Sequence, residues 1–124
     1  MSSSSSNAFD VNHLTVGGNL TLKGVAVVNP KVGNKIKIGT IAPGVIVAPK
    51  GPLDEVTIIF PSKTTDGQVM FISFTQDVKN VIFTNAKFAN GSVLGPTVKA
   101  GDSITLFYHG KTDKWYKLSG GSVR

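Results

Sequence analysis

The side chains that most often carry out chemistry in proteins are scarce in this sequence. Of its 124 residues none is cysteine, two are histidine (His13 and His109) and one is glutamate (Glu55). The lack of cysteine rules out disulfides, thiolate metal ligands and cysteine nucleophiles together. The two histidines stand at opposite ends of the chain, so a zinc site would need carboxylates from distant loops. We therefore predict no metal site and no cofactor.

The remaining polar groups do not form a catalytic pattern either. Gly17-Gly18 is followed by a strand-like segment and not by a helix, which does not suit a phosphate-binding loop. Asp66-Gly67 is typical of a turn, where aspartate bonds to its own backbone. The N-terminal serines, Ser2–Ser6, have no base that could be held against them. We predict that the chain is not an enzyme.

The net charge of +6 is unevenly distributed. Residues 1–50 carry five lysines and one aspartate (5 − 1 = +4), and residues 51–124 carry eight basic and six acidic groups (8 − 6 = +2). A basic excess favours acidic partners. Twelve of the thirteen basic residues are lysine, whereas nucleic-acid readers rely on the bidentate contacts of arginine. We therefore expect an acidic protein surface as the partner, and not nucleic acid.

The lengths of the apolar stretches and the sequence of the N-terminus indicate where the protein is expected to be made and located. Val25–Val28 and Val69–Ile72 are the longest apolar stretches, and both are far too short to cross a bilayer. Met1 and the serines after it have neither the basic nor the apolar region of a secretory signal. We expect synthesis in a host cytoplasm and no membrane partner.

Alternation of polar and apolar residues predicts short strands throughout. Turn residues separate them at a spacing of about ten, which is typical of a sandwich or barrel. The predicted strands are Asn19–Lys23, Lys35–Ile38, Val45–Ala48, Glu55–Phe60, Gln68–Thr75, Asn80–Thr84, Val93–Val98, Asp102–Tyr108 and Trp115–Leu118. The sequence thus predicts an all-β fold, a small antiparallel β-sandwich of jelly-roll type with a β-rich N-terminal arm.

We divide the chain into three parts on composition. Residues 1–12 form a flexible tail, because a serine-rich run cannot offset its ordering entropy. Residues 13–45 form an arm of short strands for attachment, and residues 46–124 form the sandwich module.

Two strands carry apolar residues on both faces, which is more than one small sandwich can hide. In Gln68–Thr75 and Asp102–Tyr108 both alternating sets contain large apolar side chains. A trimer interface would cover the second face. In Trp115-Tyr116, neighbours on a strand point to opposite faces, so one is buried and the other is exposed at a rim or partner site. The candidate trimer or partner contacts are Phe71, Phe74, Phe107, Trp115 and Tyr116.

Residues 53–118 resemble a module of tailed-phage structural proteins. The residues that carry the resemblance are Glu55–Pro61, Asp66–Thr75, Val78–Thr84, Lys99–Tyr108 and Lys114–Leu118. The front segment, LTVGGNLTLKG, is similar to the short β repeats of phage fibre shafts. Decoration proteins, head fibres and tail-fibre tips contain such modules. The resemblance implies a β-sandwich in a homotrimer attached to a virion, and no enzyme site.

We therefore expect a non-enzymatic virion protein that binds the major capsid protein as a homotrimer and stabilises the shell. The alternative is a receptor- or glycan-binding fibre tip, which needs an exposed aromatic and polar site. A basic nucleic-acid-binding barrel is third, because no aromatic residue joins Lys35 and Lys37. Because most of the positive charge lies in the first 50 residues, the candidate capsid contacts are Phe9, Lys23, Lys31, Lys35 and Lys37.

Overall fold

The structure is a computed structural model that describes residues 11–22, 24–38, 43–62, 64–92 and 95–120. All regular structure in these ranges is β, which confirms the all-β prediction. None of them contains a helix that could span a membrane. The strands are β1 (Val25–Val28), β2 (Lys35–Lys37), β3 (Gly44–Val47), β4 (Leu53–Ile59), β5 (Val69–Phe74), β6 (Val78–Thr84), β7 (Ser103–His109) and β8 (Lys114–Gly120).

Strands β2–β8 match predicted strands, and the prediction differs in the region that leads into β1 and between β6 and β7. The strand predicted over residues 19–23 is not formed at residues 19–22, which have no regular structure, and residue 23 lies outside the described ranges. Of the strand predicted over 93–98, the described residues make only an isolated bridge between Val98 and Val78. β1 is an additional strand.

Successive strands alternate between two sheets. One sheet has the order β1-β3-β5-β7-β8 and the other has the order β2-β4-β6. Each of β1, β2, β3 and β4 pairs in parallel with the strand two places further along the chain. The chain therefore winds as a coil, and each turn adds one parallel strand to each sheet.

The prediction of an antiparallel, jelly-roll-type sandwich is wrong for the pairing direction. Only β5–β7 and β7–β8 are antiparallel. Alternation along a strand indicates which face is buried, but it does not indicate the direction of the neighbouring strand. The coils are also unequal in length. Val25 pairs with Gly44, 19 residues on (44 − 25), and Gly44 pairs with Phe71, 27 residues on (71 − 44), so no fixed sequence period reveals them.

The core lies between the inner faces of the two sheets. In the five-stranded sheet, Val45 pairs with Ile72 and Ile72 with Ile104, and all three are buried. Val56 and Ile58 face them from β4. At the end of the core where β4 stops, Phe60 packs edge-to-face against Phe83, Phe88 and Trp115, at centroid distances of 5.2–6.0 Å.

The two sheets also include the segment predicted as an arm. β1 and β2 lie within residues 13–45, and each is the outermost strand of its sheet. The turn at Asp66-Gly67 precedes β5, the central strand of the five-stranded sheet. Gly67 has a φ of +85°, as predicted for a turn with a permissive backbone, and the Asp66 carboxylate accepts a 2.7 Å hydrogen bond from the N–H of Gly110.

Candidate functional site

The outer face of the five-stranded sheet presents a group of apolar side chains. Because paired residues point to the same side of a sheet, the register places seven largely apolar side chains together on it. We call this surface the apolar face, and its residues are Val25, Val27, Ile46, Val69, Phe71, Phe107 and Tyr116. Phe107 and Tyr116 stack with ring centroids 5.7 Å apart. An exposed apolar surface of this kind marks an interaction site.

The candidate aromatic contacts divide between this face and the core. Phe71 is exposed, and Phe107 and Tyr116 are half-buried, all on the apolar face. Phe74 and Trp115 are instead buried in the core, so their assignment as partner contacts is corrected. The reason is the pleat. Phe74 is three residues from Phe71 and thus on the other side of β5, and Trp115 alternates with Tyr116.

The segment before β1 adds further exposed apolar side chains beside this face. Val11, Leu14, Val16, Leu20 and Leu22 are all exposed. From here on, the arm means residues 11–22 alone, and not the longer segment predicted as an arm over residues 13–45. Leu20 and Leu22 line a groove of about 480 Å³ with Val25, Ile46 and Phe71. Gly44 forms its floor, and the absence of a side chain there keeps the groove open.

The outer face of the three-stranded sheet is different in character. Lys35 pairs with Thr57 and Lys37 with Ile59, so both lysines lie on this outer side, and both are exposed. We call it the lysine face. The ion pairs among the described residues are Lys79–Asp54 and Lys87–Asp113, so neither Lys35 nor Lys37 has an acidic partner there. The register places Glu55 on the same side, so the face carries these two lysines and one carboxylate, which accepts a hydrogen bond from the Asn80 side-chain amide at 3.4 Å.

The candidate capsid contacts are placed as follows. Lys35 and Lys37 lie on the lysine face, and Lys31 is exposed in the turn between β1 and β2. The backbone N–H of Lys31 donates to the Asn34 side chain at 2.8 Å, which fixes that turn. Phe9 and Lys23 lie outside the described residues.

A polar cleft of about 420 Å³ lies where β4 and β6 end and β8 begins. Asp113, Lys87, Tyr108 and Asn85 line it, with Trp115 as part of its wall. The Tyr108 hydroxyl donates to one Asp113 oxygen at 2.5 Å, and the Lys87 ammonium lies 3.4 Å from the other. We call it the Asp113 cleft.

Hydrogen bonds to backbone carbonyls hold the walls of this cleft together. The N–H of Trp115 donates to the carbonyl of Lys87 at 2.8 Å, and the Asn85 amide donates to the carbonyl of Phe60 at 3.0 Å. Asn85 and Asp113 are the described non-glycine residues with positive φ, at 61° and 56°. Asparagine and aspartate adopt this left-handed conformation more readily than other non-glycine residues, and here both positions border the cleft.

The charges in the cleft reinforce one another. The hydrogen bond from Tyr108 and the neighbouring Lys87 lower the pKa of the Asp113 carboxyl below 3.8. The same hydrogen bond raises the pKa of the Tyr108 hydroxyl above 10.0. The cleft thus presents a carboxylate, an ammonium and an amide in fixed positions, which is a set suited to hydrogen-bonding a polar ligand.

The sequence gives only a weak signal for these surfaces. Asn85 and Lys87 belong to the segment after β6 and Asp113 to the turn before β8, and the backbone bond between Trp115 and Lys87 holds the two segments together. The run Val25–Val28 does show in the sequence, but its outward position depends on the parallel pairing with β3.

Comparison with known proteins adds no relative. The sequence matches no protein-family model and no curated protein, and the fold matches no solved structure.

Proposed function

We propose that this chain is a non-enzymatic structural protein of a tailed-phage virion, which binds the capsid surface as a homotrimer and stabilises the shell. The observation that carries the proposal is the sorting of exposed side chains by sheet. Large apolar groups collect on the apolar face and the arm, and Lys35 and Lys37, which form no ion pair among the described residues, lie on the lysine face. A protein that both self-associates and attaches to an acidic surface needs two such faces.

The apolar face is suited to contact between copies. Its aromatic side chains, Phe71, Phe107 and Tyr116, are of the type that dominates the energy of protein interfaces. The exposed leucines of the arm extend the same apolar surface. Copies related by a closed rotation bury this surface, and the lysine faces then point away from the shared axis.

The lysine face is suited to a second, acidic partner. Lys35 and Lys37 stand on a strand, so their spacing is fixed by the sheet, and Lys31 is close in the chain. Attraction between exposed charges is screened over about 8–10 Å at physiological ionic strength, so attachment by this face weakens with added salt.

Co-sedimentation tests the attachment. The full chain is mixed with capsids of the phage that encodes it, stripped of this protein, and bound protein is measured from 50 to 500 mM salt. Saturable binding that falls with salt supports the proposal. The absence of binding at the lowest salt would overturn the capsid part, whatever the oligomeric state.

A receptor- or glycan-binding module is the second candidate, and the Asp113 cleft favours it. Sugars offer hydroxyls that bond to carboxylate, ammonium and amide groups at once, and this cleft holds all three. A screen of saccharides by isothermal titration, with Asp113→Asn as the comparison, tests this candidate. Binding that Asp113→Asn abolishes supports a glycan role, and an empty screen leaves the structural role as the function.

A further inference from the structure

The two sheets have four edge strands in the described chain, and three of them are protected. β8 is covered by residues 87–92, through the bonds from Trp115 N–H to Lys87 carbonyl and from Lys117 N–H to Ser92 Oγ. β6 is covered by residues 96–98, through two bonds between Val78 and Val98 and one from Val81 to Pro96. β2 carries Lys35 and Lys37, and lysine on an edge strand discourages further pairing.

The fourth edge, β1, has neither kind of protection. Its sequence is Val-Ala-Val-Val, with no charge and no proline, and Val25 and Val27 are 59% and 58% exposed. The carbonyl of Val28 accepts from Ala48 on β3 at 2.8 Å. Because backbone groups along a strand alternate in direction, those of Val25 and Val27 point away from β3. No described residue bonds to them, so this edge can accept another strand.

The arm contains a strand-like segment without a partner, whereas β1 offers an unpaired edge. Asn19–Leu22 has the alternation of a half-buried strand, and yet it has no strand partner among the described residues. Leu20 is 66% exposed. The N–H of Gly24 donates to the carbonyl of Leu22 at 2.7 Å, and Gly24 has a φ of +61°. This tight turn sends the arm across the groove of its own apolar face and away from its own β1 edge.

We propose that Asn19–Leu22 of one copy pairs as an added strand with the β1 edge of a second copy. This inference rests on the proposed self-association and specifies its mode. Two different surfaces meet in such a contact, so it repeats from copy to copy, and a threefold rotation between copies closes it as a trimeric ring. Leu20 and Leu22, two residues apart, then lie on one side of the added strand and extend the row of Val25 and Val27.

A proline substitution tests the backbone pairing. Val27→Pro removes an N–H that points to the free edge, and edge strands tolerate proline there. Val27→Thr is the matched control, because it keeps the N–H and the side-chain shape. We expect Val27→Pro to be a folded monomer by circular dichroism and light scattering, and Val27→Thr to keep the wild-type mass. A Val27→Pro protein with the wild-type oligomeric mass would overturn the inference.

The control also separates the two proposals. If Val27→Pro and Val27→Thr dissociate equally, side-chain contacts hold the oligomer, so self-association stands and strand addition fails. If the wild type itself is a monomer, the proposed self-association fails as well.

Disulfide trapping supplies a readout that does not depend on how Val27→Pro folds. The chain has no cysteine, so introduced pairs are unambiguous. Cross-strand neighbours lie within the Cα separation of about 4.4–6.8 Å that a disulfide needs. We expect Leu20→Cys with Val25→Cys, or Leu20→Cys with Val27→Cys, to give covalent trimers on oxidation.

The control for trapping is Leu20→Cys with Val32→Cys. Val32 is 60% exposed, as exposed as Val27, but it lies in the turn after β1. We expect this pair to stay largely uncrosslinked. Disulfides formed only within one chain, or equal crosslinking of the control, would contradict strand addition.

Discussion

The outer faces of the two sheets have the same origin and different chemistry. Both contain strands from the same three turns of the coil, and the five-stranded sheet adds the antiparallel strands β7 and β8. The five-stranded sheet nevertheless presents Val25, Val27 and Phe71, whereas the three-stranded sheet presents Lys35 and Lys37. In a single copy both are outer surfaces, and the penalty for exposing apolar groups to water falls mainly on the first, since Ile59 and Ile82 on the second are half-buried. The contrast indicates that one face is made to be covered and the other to remain charged.

Substitutions on the inner side of the five-stranded sheet provide the reference for the stability losses expected on its outer face. Trp115, on the inner side of β8, packs against Phe60 and Tyr108, whereas Tyr116 points to the apolar face. Trp115→Ala leaves a cavity, and we expect it to lower the free energy of unfolding by about 3–5 kcal/mol. Tyr116→Ala should cost about 1 kcal/mol in the dissociated chain. Urea denaturation at low protein concentration measures both, and equal losses would contradict the placement of the two rings.

A buried charge distinguishes the two outer faces most sharply. Phe71→Glu places a carboxylate on the apolar face, and we expect it to weaken self-association about 100-fold, since an unpaired buried charge costs about 2–5 kcal/mol. Thr84→Glu, on the outer side of β6, is the control and should change association less than about threefold. Sedimentation equilibrium gives both constants. A stronger effect from Thr84→Glu would reverse our assignment of the faces.

Charge reversal tests the lysine face in turn. Lys35→Glu with Lys37→Glu should weaken capsid binding about tenfold at low salt and leave the oligomeric mass unchanged. Lys111→Glu with Lys117→Glu changes the net charge equally at exposed lysines elsewhere, and it should have little effect on capsid binding. Co-sedimentation at 50 mM salt compares them. Equal losses from the two pairs would mean that total charge, and not this face, attracts the capsid.

The smallest effect belongs to the Asp113 cleft, which lies on neither face. The pKa of Asp113 is lowered in the fold, so its stabilisation is present above the ordinary value of 3.8 and is lost as the pH falls through the folded value. The pKa of Tyr108 is raised, so its contribution is present below 10.0 and is lost as the pH rises through the folded value.

We therefore expect Tyr108→Phe to reduce stability slightly at neutral pH, with the difference from the wild type shrinking below about pH 4. Melting temperatures across the pH range measure it, and self-association should not change. A difference that grows in acid would contradict the sign of the Asp113 shift.

The sequence predicts positions of strands better than their partners. Alternation located β2–β8 because it reports burial on one face, a property of each strand alone. Pairing direction depends on which sheet the next strand joins, and unequal coils left no period to show it. Phe74 and Trp115 were misassigned for a different reason: both faces of their strands carry large side chains, so the pattern does not show which face is the inner one. Phe71, Phe107 and Tyr116 were found because two-faced apolar strands are visible in the sequence.

The strand predicted at Asn19–Leu22 does not form, because strand formation, like pairing direction, depends on the neighbouring backbone. Its alternation is that of a strand, but a strand forms only where backbone partners exist, and one copy offers none to it among the described residues. Agreement between local pattern and fold is the normal state of a natural sequence, and departures from it are expected at functional sites.

We propose above all that further copies of this chain cover the apolar face and the arm. Light scattering coupled to size exclusion, on the full chain at micromolar concentration, measures the mass directly. We expect a trimer of 39 kDa, three times the chain mass of 13.0 kDa. A stable species of 13.0 kDa that shows no association up to 100 µM would contradict it.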